Sequence, residues 1–283
     1  MPNPELRERR LRLRGLSLNR LLPNIITLAA LCSGLTAIRF GLSGDFRSAV
    51  LAIIAAAFLD ALDGRVARRL NATSRFGAEL DSLSDVIAFG VAPAFLMYLS
   101  SMNTAGTFGW VVTLMFPICS ALRLARFNVG IYAEEKPPVW AGAYFTGVPA
   151  PAGALLAIMP LMLSLSPDVD WPWLRHPVTG AVFLVGIGAL MISHVPSWSL
   201  KRGRIPGPWV VPTLVLVALA IGLMVTTPWT TLPLIGLIYL LLLPFSYTSY
   251  RRTAAREAAH AQDVPAAIVE LRAVGDAGDP TRR

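Results

Sequence analysis

Stretches of 18 or more mainly apolar residues recur along the whole chain, and a run of that length spans the hydrocarbon core of a bilayer. In lipid such spans satisfy their backbone hydrogen bonds internally, so they are helices, and the alternating polarity of a membrane β-barrel is absent. The composition agrees. Of 283 residues, 54% are hydrophobic and only 15% charged, against about 25% charged in soluble domains. The expected fold class is an all-α polytopic membrane protein with about eight transmembrane helices. The spans are placed at roughly 22–41, 46–66, 82–101, 107–127, 148–165, 177–195, 209–226 and 230–248.

Lys and Arg fall on alternate connections. Arg7, Arg9, Arg10, Arg12, Arg14 and Arg20 precede the first span, Arg65, Arg68, Arg69 and Arg75 follow the second, and Arg123, Arg126 and Lys136 follow the fourth. Lys201, Arg202 and Arg204 follow the sixth, and Arg251, Arg252 and Arg256 follow the eighth. The other set of connections carries only Arg175. The positive-inside rule then puts both termini in the cytoplasm. The formal charge of +8 is a topology signal and does not point to nucleic acid. No cleavable signal peptide is read, because no small-residue cleavage site follows the first apolar run. Cys32 and Cys119 fall inside spans, where isolated thiols are expected to pack, with no disulfide or metal pair.

Against this background the stretch FLDALDGRVARRLNATSRFGAELDSLSDVIAF stands out. Asp60, Asp63, Gly64, Ala67 and Arg68 are spaced i, i+3, i+4, i+7, i+8, one stripe of a helix. Gly77, Asp81 and Asp85, at i, i+4, i+8, form a second stripe. Between them Asn71 and Ser74 are turn and cap candidates. A helix, a short turn and a second helix bring four carboxylates together at the cytoplasmic end of a helix pair. Like charges that close repel, so the cluster is either protonated or holds cations. Oxygen-only ligands suit Mg²⁺ or Mn²⁺, and a pair of such ions clamped by shared carboxylates is a common device for displacement at phosphorus. Capping and pairing with nearby arginines accounts for one or two such aspartates; four at helical spacing call for more. The pair Gly186 and Gly188 is read only as helix packing.

The pattern Asp60-x2-Asp63-Gly64-x2-Ala67-Arg68-x8-Gly77-x3-Asp81-x3-Asp85 matches the signature of the CDP-alcohol phosphotransferase family at all eight positions. At average residue usage, chance gives this at about one starting point in 10⁹. The resemblance implies a six-helix catalytic core plus two C-terminal helices, and an enzyme that moves a phosphatidyl or similar group from a CDP-linked donor to an alcohol. It implies that Asp60, Asp63, Asp81 and Asp85 ligate two divalent cations, Mg²⁺ or Mn²⁺, with Asp85 also the catalytic general base. It implies that Gly64, Ala67, Arg68, Ser74 and Gly77 line the CDP-lipid site, with Asn24 and Thr27 as further nucleotide contacts. Asn24 is equally well placed to cap the first helix.

Further segments, DSLSDVIAFGVAPAFLMY, SALRLARFNV, GVPAPAGA and LMISHVPSWSLK, resemble the integral-membrane phosphatidylserine synthase branch of that family. The donor implied is CDP-diacylglycerol and the acceptor L-serine. Other acceptors, namely glycerol 3-phosphate, an inositol phosphate or choline, stay open. Two readings apply to Arg123 and Arg126: contacts to the acceptor carboxylate or donor phosphate, or basic residues that the topology requires anyway. Asn128 is read as a polar contact or a helix stop, and His194 as a packed or interfacial residue. A divalent-cation transporter is the alternative from another class; a catalytically dead scaffold is the third. The implied organisation is a basic segment at 1–20, a catalytic transmembrane core at 21–205, two further helices at 206–250 and a tail at 251–283, helical to about Leu271 and partly disordered. The implied location is the inner membrane, with the site at the cytoplasmic face, and the family resemblance implies a homodimer.

Overall fold

The computed structural model describes residues 18–131, 144–193, 195–198 and 207–277. The readings made for the N-terminal basic run and for Lys136, His194, Lys201, Arg202 and Arg204 lie outside those residues. Helices occupy all eight expected places. They are α1 (Leu18–Leu42), α2 (Phe46–Arg69), α3 (Arg75–Asp85) continued by α4 (Ala92–Ser100), α5 (Gly106–Ile131), α6 (Ala150–Ala157) with α7 (Met159–Ser164), α8 (Pro177–Ile192), α9 (Val210–Thr226) and α10 (Pro228–Ala277). Among the described residues five stretches are long and apolar enough to cross a membrane: Leu21–Leu42, Arg75–Ser100, Met102–Val129, Gly207–Thr226 and Pro228–Thr253. Pro177–Ile192 is a shorter apolar helix. The polar side chains in the second half of α2, among them the two aspartates, lower its apolarity.

The stretch Arg75–Ser100 is the central strut: 50% of its most apolar window is buried, against 0% for Gly207–Thr226 at the periphery. Around it Phe89, Leu96 and Met97 pack with Ile53, Phe116, Ile158, Leu184 and Met191. The strut is not a regular helix throughout. Val86–Val91 is a π-helical turn, and the Ala92 N–H reaches back to the Ile87 carbonyl. Pro93 follows at once, and a proline clashes with the carbonyl four residues earlier, so the turn before it widens. The π turn thus separates the acidic half of the strut from its apolar half. Gly34 of α1 crosses it so closely that a β-carbon there would lie 2.7 Å from the Ala88 α-carbon.

Among the described residues two short strands interrupt the helical pattern. Residues Tyr144–Thr146 and Pro196–Trp198 form a short antiparallel pair that ties the entry of α6 to the exit of α8. Gly147 makes the turn beside it with φ +76°, and a β-carbon there would lie 2.6 Å from the Met191 carbonyl oxygen. Both features require glycine.

At the end of the bundle away from the aspartates, two arginines act as helix caps. Arg47 donates to the Leu165 carbonyl at 3.3 Å and Arg175 to the Ser164 carbonyl at 3.2 Å. They satisfy the open C-terminal carbonyls of α7 and complement its dipole. Arg47 also lies over the Trp229 ring at 5.9 Å. Asp45 caps α2 at the same end; hydrogen bonds from Ser48 hold its carboxyl below the ordinary carboxylate range. Both cysteines are free. Cys119 packs inside, as expected, but Cys32 is on the outer face of α1 and exposed, because its register on that helix points away from α2.

Candidate active site

The site is assembled at the junction of α1, α2 and α3. Helix α2 ends at Arg69. Its last turn closes through bonds from the Leu70 N–H to the Val66 carbonyl and from the Ala72 N–H to the Ala67 carbonyl, both 2.9 Å. Asn71 takes a left-handed conformation (φ 49°), which Asn tolerates better than most residues. Ser74 then caps α3, its Oγ accepting from the Gly77 N–H at 3.0 Å. Both turn residues have the roles their chemistry suggested. The two acidic helices scarcely touch one another. Each packs instead along α1, and the wedge left between them is open.

Three of the four aspartates meet in that wedge: one carboxylate oxygen from each of Asp60, Asp63 and Asp81 lies within 4.8 Å of the other two. Asp85, one turn further along α3, is half-buried beside Asp60 and within electrostatic range of Arg123 of α5. Asp63 is buried, and its Oδ2 accepts a 2.7 Å hydrogen bond from Thr27 Oγ1. The Oδ1 of Asp81 is buried with no hydrogen-bond partner among the described residues. An ionised carboxylate oxygen without a donor is costly in an apolar interior, and four acidic groups together add repulsion. A hard divalent cation among them relieves both costs. The donor set is all oxygen, the spacing is compact and one buried oxygen is unsatisfied, so the residues present fit such an ion.

Beside the carboxylates lies a cavity of about 330 Å³. Its lining includes Asn24, Thr27, Gly64, Ala67, Arg68, Ser74 and Gly77, every residue assigned to the CDP-lipid by resemblance, together with Asp63 and Asp81. Pro23, Ala72, Thr73 and Ala78 complete the wall. The two glycines differ. A β-carbon on Gly64 would meet only Arg68 Nη1, at 3.6 Å, so that wall is open to a ligand. A β-carbon on Gly77 would lie 3.0 Å from Asn24 Oδ1 and 3.1 Å from Ser74 Oγ. Gly77→Ala therefore crowds Asn24 Oδ1 and the Ser74 cap at the cavity wall. We expect it to raise KM for a CDP-lipid about tenfold, the scale of one lost hydrogen bond, with thermal stability unchanged. Steady-state kinetics over donor concentration checks this, and an unaltered KM would remove Asn24 from the site.

The capping role considered for Asn24 does not hold. Helix α1 begins at Leu18, so Asn24 is inside it, one residue after Pro23. Nor is Asn128 a helix stop, because α5 continues to Ile131; its Nδ2 donates to Ser82 Oγ at 3.0 Å. Sequence reasoning missed the serines that flank the acidic stripe in DSLSD. Ser84 Oγ donates to the Thr27 carbonyl at 3.2 Å, pinning α3 to α1, while Ser82 ties α3 to α5. Arg123 and Arg126 are not at the cavity. Arg126 donates to the Ser193 carbonyl at 3.2 Å and so closes the end of α8. Arg123 turns inward beside Asp85, and its Nε is buried with no hydrogen-bond partner among the described residues.

Comparison with known proteins agrees with this architecture. A family model described as CDP-alcohol phosphatidyltransferase matches residues 20–193, and one described as CDP-alcohol phosphatidyltransferase 2 matches residues 208–244. A protein of Mycobacterium leprae named CDP-diacylglycerol–serine O-phosphatidyltransferase is 38% identical over 83% of this chain and 77% of its own length. Proteins of the same name from Helicobacter pylori and Bacillus subtilis are 34% and 36% identical, over 78% and 64% of this chain and 88% and 92% of their own lengths. With its acidic helices converging on a cavity walled by the signature residues, the chain belongs to the CDP-alcohol phosphatidyltransferase family.

Proposed function

We propose that the protein transfers the phosphatidyl group of CDP-diacylglycerol to the hydroxyl of L-serine, forming phosphatidylserine and CMP. One observation carries the choice of acceptor: relatives from three bacterial genera, matched over most of the chain, bear the name of that reaction. The convergence of carboxylates beside an open cavity supports the reaction type.

In this reading the cytidine diphosphate portion lies in the cavity. Asn24 and Thr27 on α1 and Ser74 and Gly77 at the head of α3 wall the nucleotide. Gly64 and Ala67 let the diphosphate come close to the α2 backbone, and Arg68 offers its guanidinium to a phosphate oxygen. Asp60, Asp63, Asp81 and Asp85 would hold two divalent cations, Mg²⁺ or Mn²⁺, which when bound neutralise the diphosphate and the departing CMP. Asp85, beside Asp60 and outside the cavity lining, accepts the proton of the acceptor hydroxyl. That oxygen forms its bond to the phosphorus bearing the diacylglycerol as the bond to the CMP oxygen breaks. Arg123, next to Asp85, receives the acceptor's carboxylate. Thr27 fixes one oxygen of Asp63 and so orients it towards the cluster.

The protein is a multi-pass membrane protein. The basic-residue pattern supports an inner-membrane enzyme with both termini and the site on the cytoplasmic side, where CDP-lipid and free serine meet. A core at 21–205 with two added helices fits the two family matches, and the homodimer implied by the resemblance belongs to the same reading. The deciding experiment gives the purified enzyme CDP-diacylglycerol with L-serine, glycerol 3-phosphate, an inositol phosphate or choline in turn and measures CMP. Release with serine is expected. Release only with another alcohol overturns the acceptor.

A further inference from the structure

Helices α2 and α3 scarcely touch, yet one carboxylate oxygen from each of Asp60 and Asp63 of α2 and Asp81 of α3 lies within 4.8 Å of the other two. The spacing between the two acidic stripes is therefore set through a third element. Both helices pack along α1, and at the level of the cluster one residue of α1 is hydrogen-bonded to each of them. Thr27 Oγ1 donates to Asp63 Oδ2 of α2 at 2.7 Å, and the Thr27 carbonyl accepts from Ser84 Oγ of α3 at 3.2 Å. Thr27, Asp63 and Ser84 are all buried, where a hydrogen bond is stronger than in water.

Ser84 stands three residues after Asp81 and one before Asp85, so its bond to α1 is made within the turn of α3 that carries both carboxylates. The Thr27 hydroxyl has a second acceptor in reach, the Pro23 carbonyl at 3.1 Å. A hydroxyl has one proton to give, and the shorter contact, to a carboxylate, holds it. The choice depends on where the Thr27 backbone sits between the two acidic helices. Ser84 is the residue of α3 that grips that backbone. Without its bond α1 is free to shift from α3, and the Thr27 hydroxyl can turn back to Pro23 and release Asp63.

We propose that Ser84 is a positioning residue of the ion site: acting through Thr27, it sets how Asp63 of α2 is presented to Asp81 of α3, and so how tightly the acidic cluster holds a divalent cation. The inference rests on the metal reading above, and it needs no contact between Ser84 and the ion. Hydrogen bonds to a ligating carboxylate orient it, and their loss commonly weakens a metal site by ten- to hundredfold. Thr27 makes such a bond directly; Ser84 acts one step further out, so its removal has the smaller effect.

The test reads Tm against Mn²⁺ concentration in the full-length, detergent-purified protein without substrate, and takes the concentration at half of the full rise. Ser84→Ala should raise that concentration about fivefold, the scale of one neutral hydrogen bond. Thr27→Val keeps the shape, loses the hydroxyl and should raise it about tenfold. The double variant should do no worse than Thr27→Val alone, because without the hydroxyl Ser84 has no path to Asp63. A serine that only packs α3 on α1 would lower the metal-free Tm and leave the half-point where it is. An unchanged half-point in either single variant, or penalties that multiply in the double variant, would overturn the proposal. Ser84→Cys, close in size but a weak donor, should also raise the half-point, and it decides the matter if the alanine variant does not fold. A wild type whose Tm answers to neither Mn²⁺ nor Mg²⁺ removes the ion site itself, and this role with it. A wild type that responds, beside a Ser84→Ala protein that responds equally, overturns the positioning role alone.

Discussion

Asp85→Asn should lower turnover at least about 10³-fold, in the range reported for loss of a positioned general base, while leaving the enzyme folded and able to bind CDP. Asparagine matches the shape of the carboxylate but cannot take a proton from a hydroxyl. Asp85 is placed for the task. It is half-buried beside Asp60, outside the cavity lining, and within electrostatic range of the Arg123 guanidinium. The substitution also removes one of four mutually repelling acids, so thermal stability should hold or rise. CMP release measures turnover, and titration with CDP measures the surviving site. Residual activity within about tenfold of wild type would show that another group accepts the proton.

Removing divalent cations should have an effect of the same order. Chelation is expected to abolish CMP release, and Mg²⁺ or Mn²⁺ to restore it, because Asp60, Asp63 and Asp81 present oxygens within 4.8 Å of one another and Asp81 Oδ1 is buried without a donor. The effect has a second readout. An ion that binds the folded state stabilises it in proportion to the logarithm of its concentration over Kd, so added Mg²⁺ or Mn²⁺ should raise Tm in the wild type. In Asp81→Asn that rise should be lost or strongly reduced, even with activity already gone. Full turnover after exhaustive chelation would contradict the metal reading, and an undiminished Tm response in Asp81→Asn would displace Asp81 from the ion site.

Much of the site was legible in the residues because its signal is periodic. Asp60, Asp63, Gly64, Ala67 and Arg68 repeat at helical spacing in a chain poor in carboxylates, and Asn71 and Ser74 announce a turn by chemistry that needs no tertiary information. What escaped was the three-dimensional bonding. Thr27 to Asp63, Ser84 to the Thr27 carbonyl and Asn128 to Ser82 join residues 36, 57 and 46 positions apart, and nothing local distinguishes such a serine from a surface one. Asn24 was open to a capping role because asparagine is a favoured N-cap, whereas α1 begins at Leu18 and carries Asn24 inside it. The π turn is understandable from Pro93, but it depends on the closeness with which α1 and α5 pack around Ala88 and Gly90. Arg175 stood out in the sequence only as a topology charge, and Arg47 not at all; their role as caps of α7 needs the fold.

The most direct measurement is a crystal structure of the enzyme soaked with Mn²⁺ and CDP-diacylglycerol, with anomalous scattering recorded at the manganese edge. Two peaks among Asp60, Asp63, Asp81 and Asp85, with the diphosphate in contact and cytidine in the cavity between α1 and α3, are expected. Manganese bound elsewhere, or a nucleotide lodged away from these four side chains, would contradict the claim that the paired acidic helices form the catalytic centre.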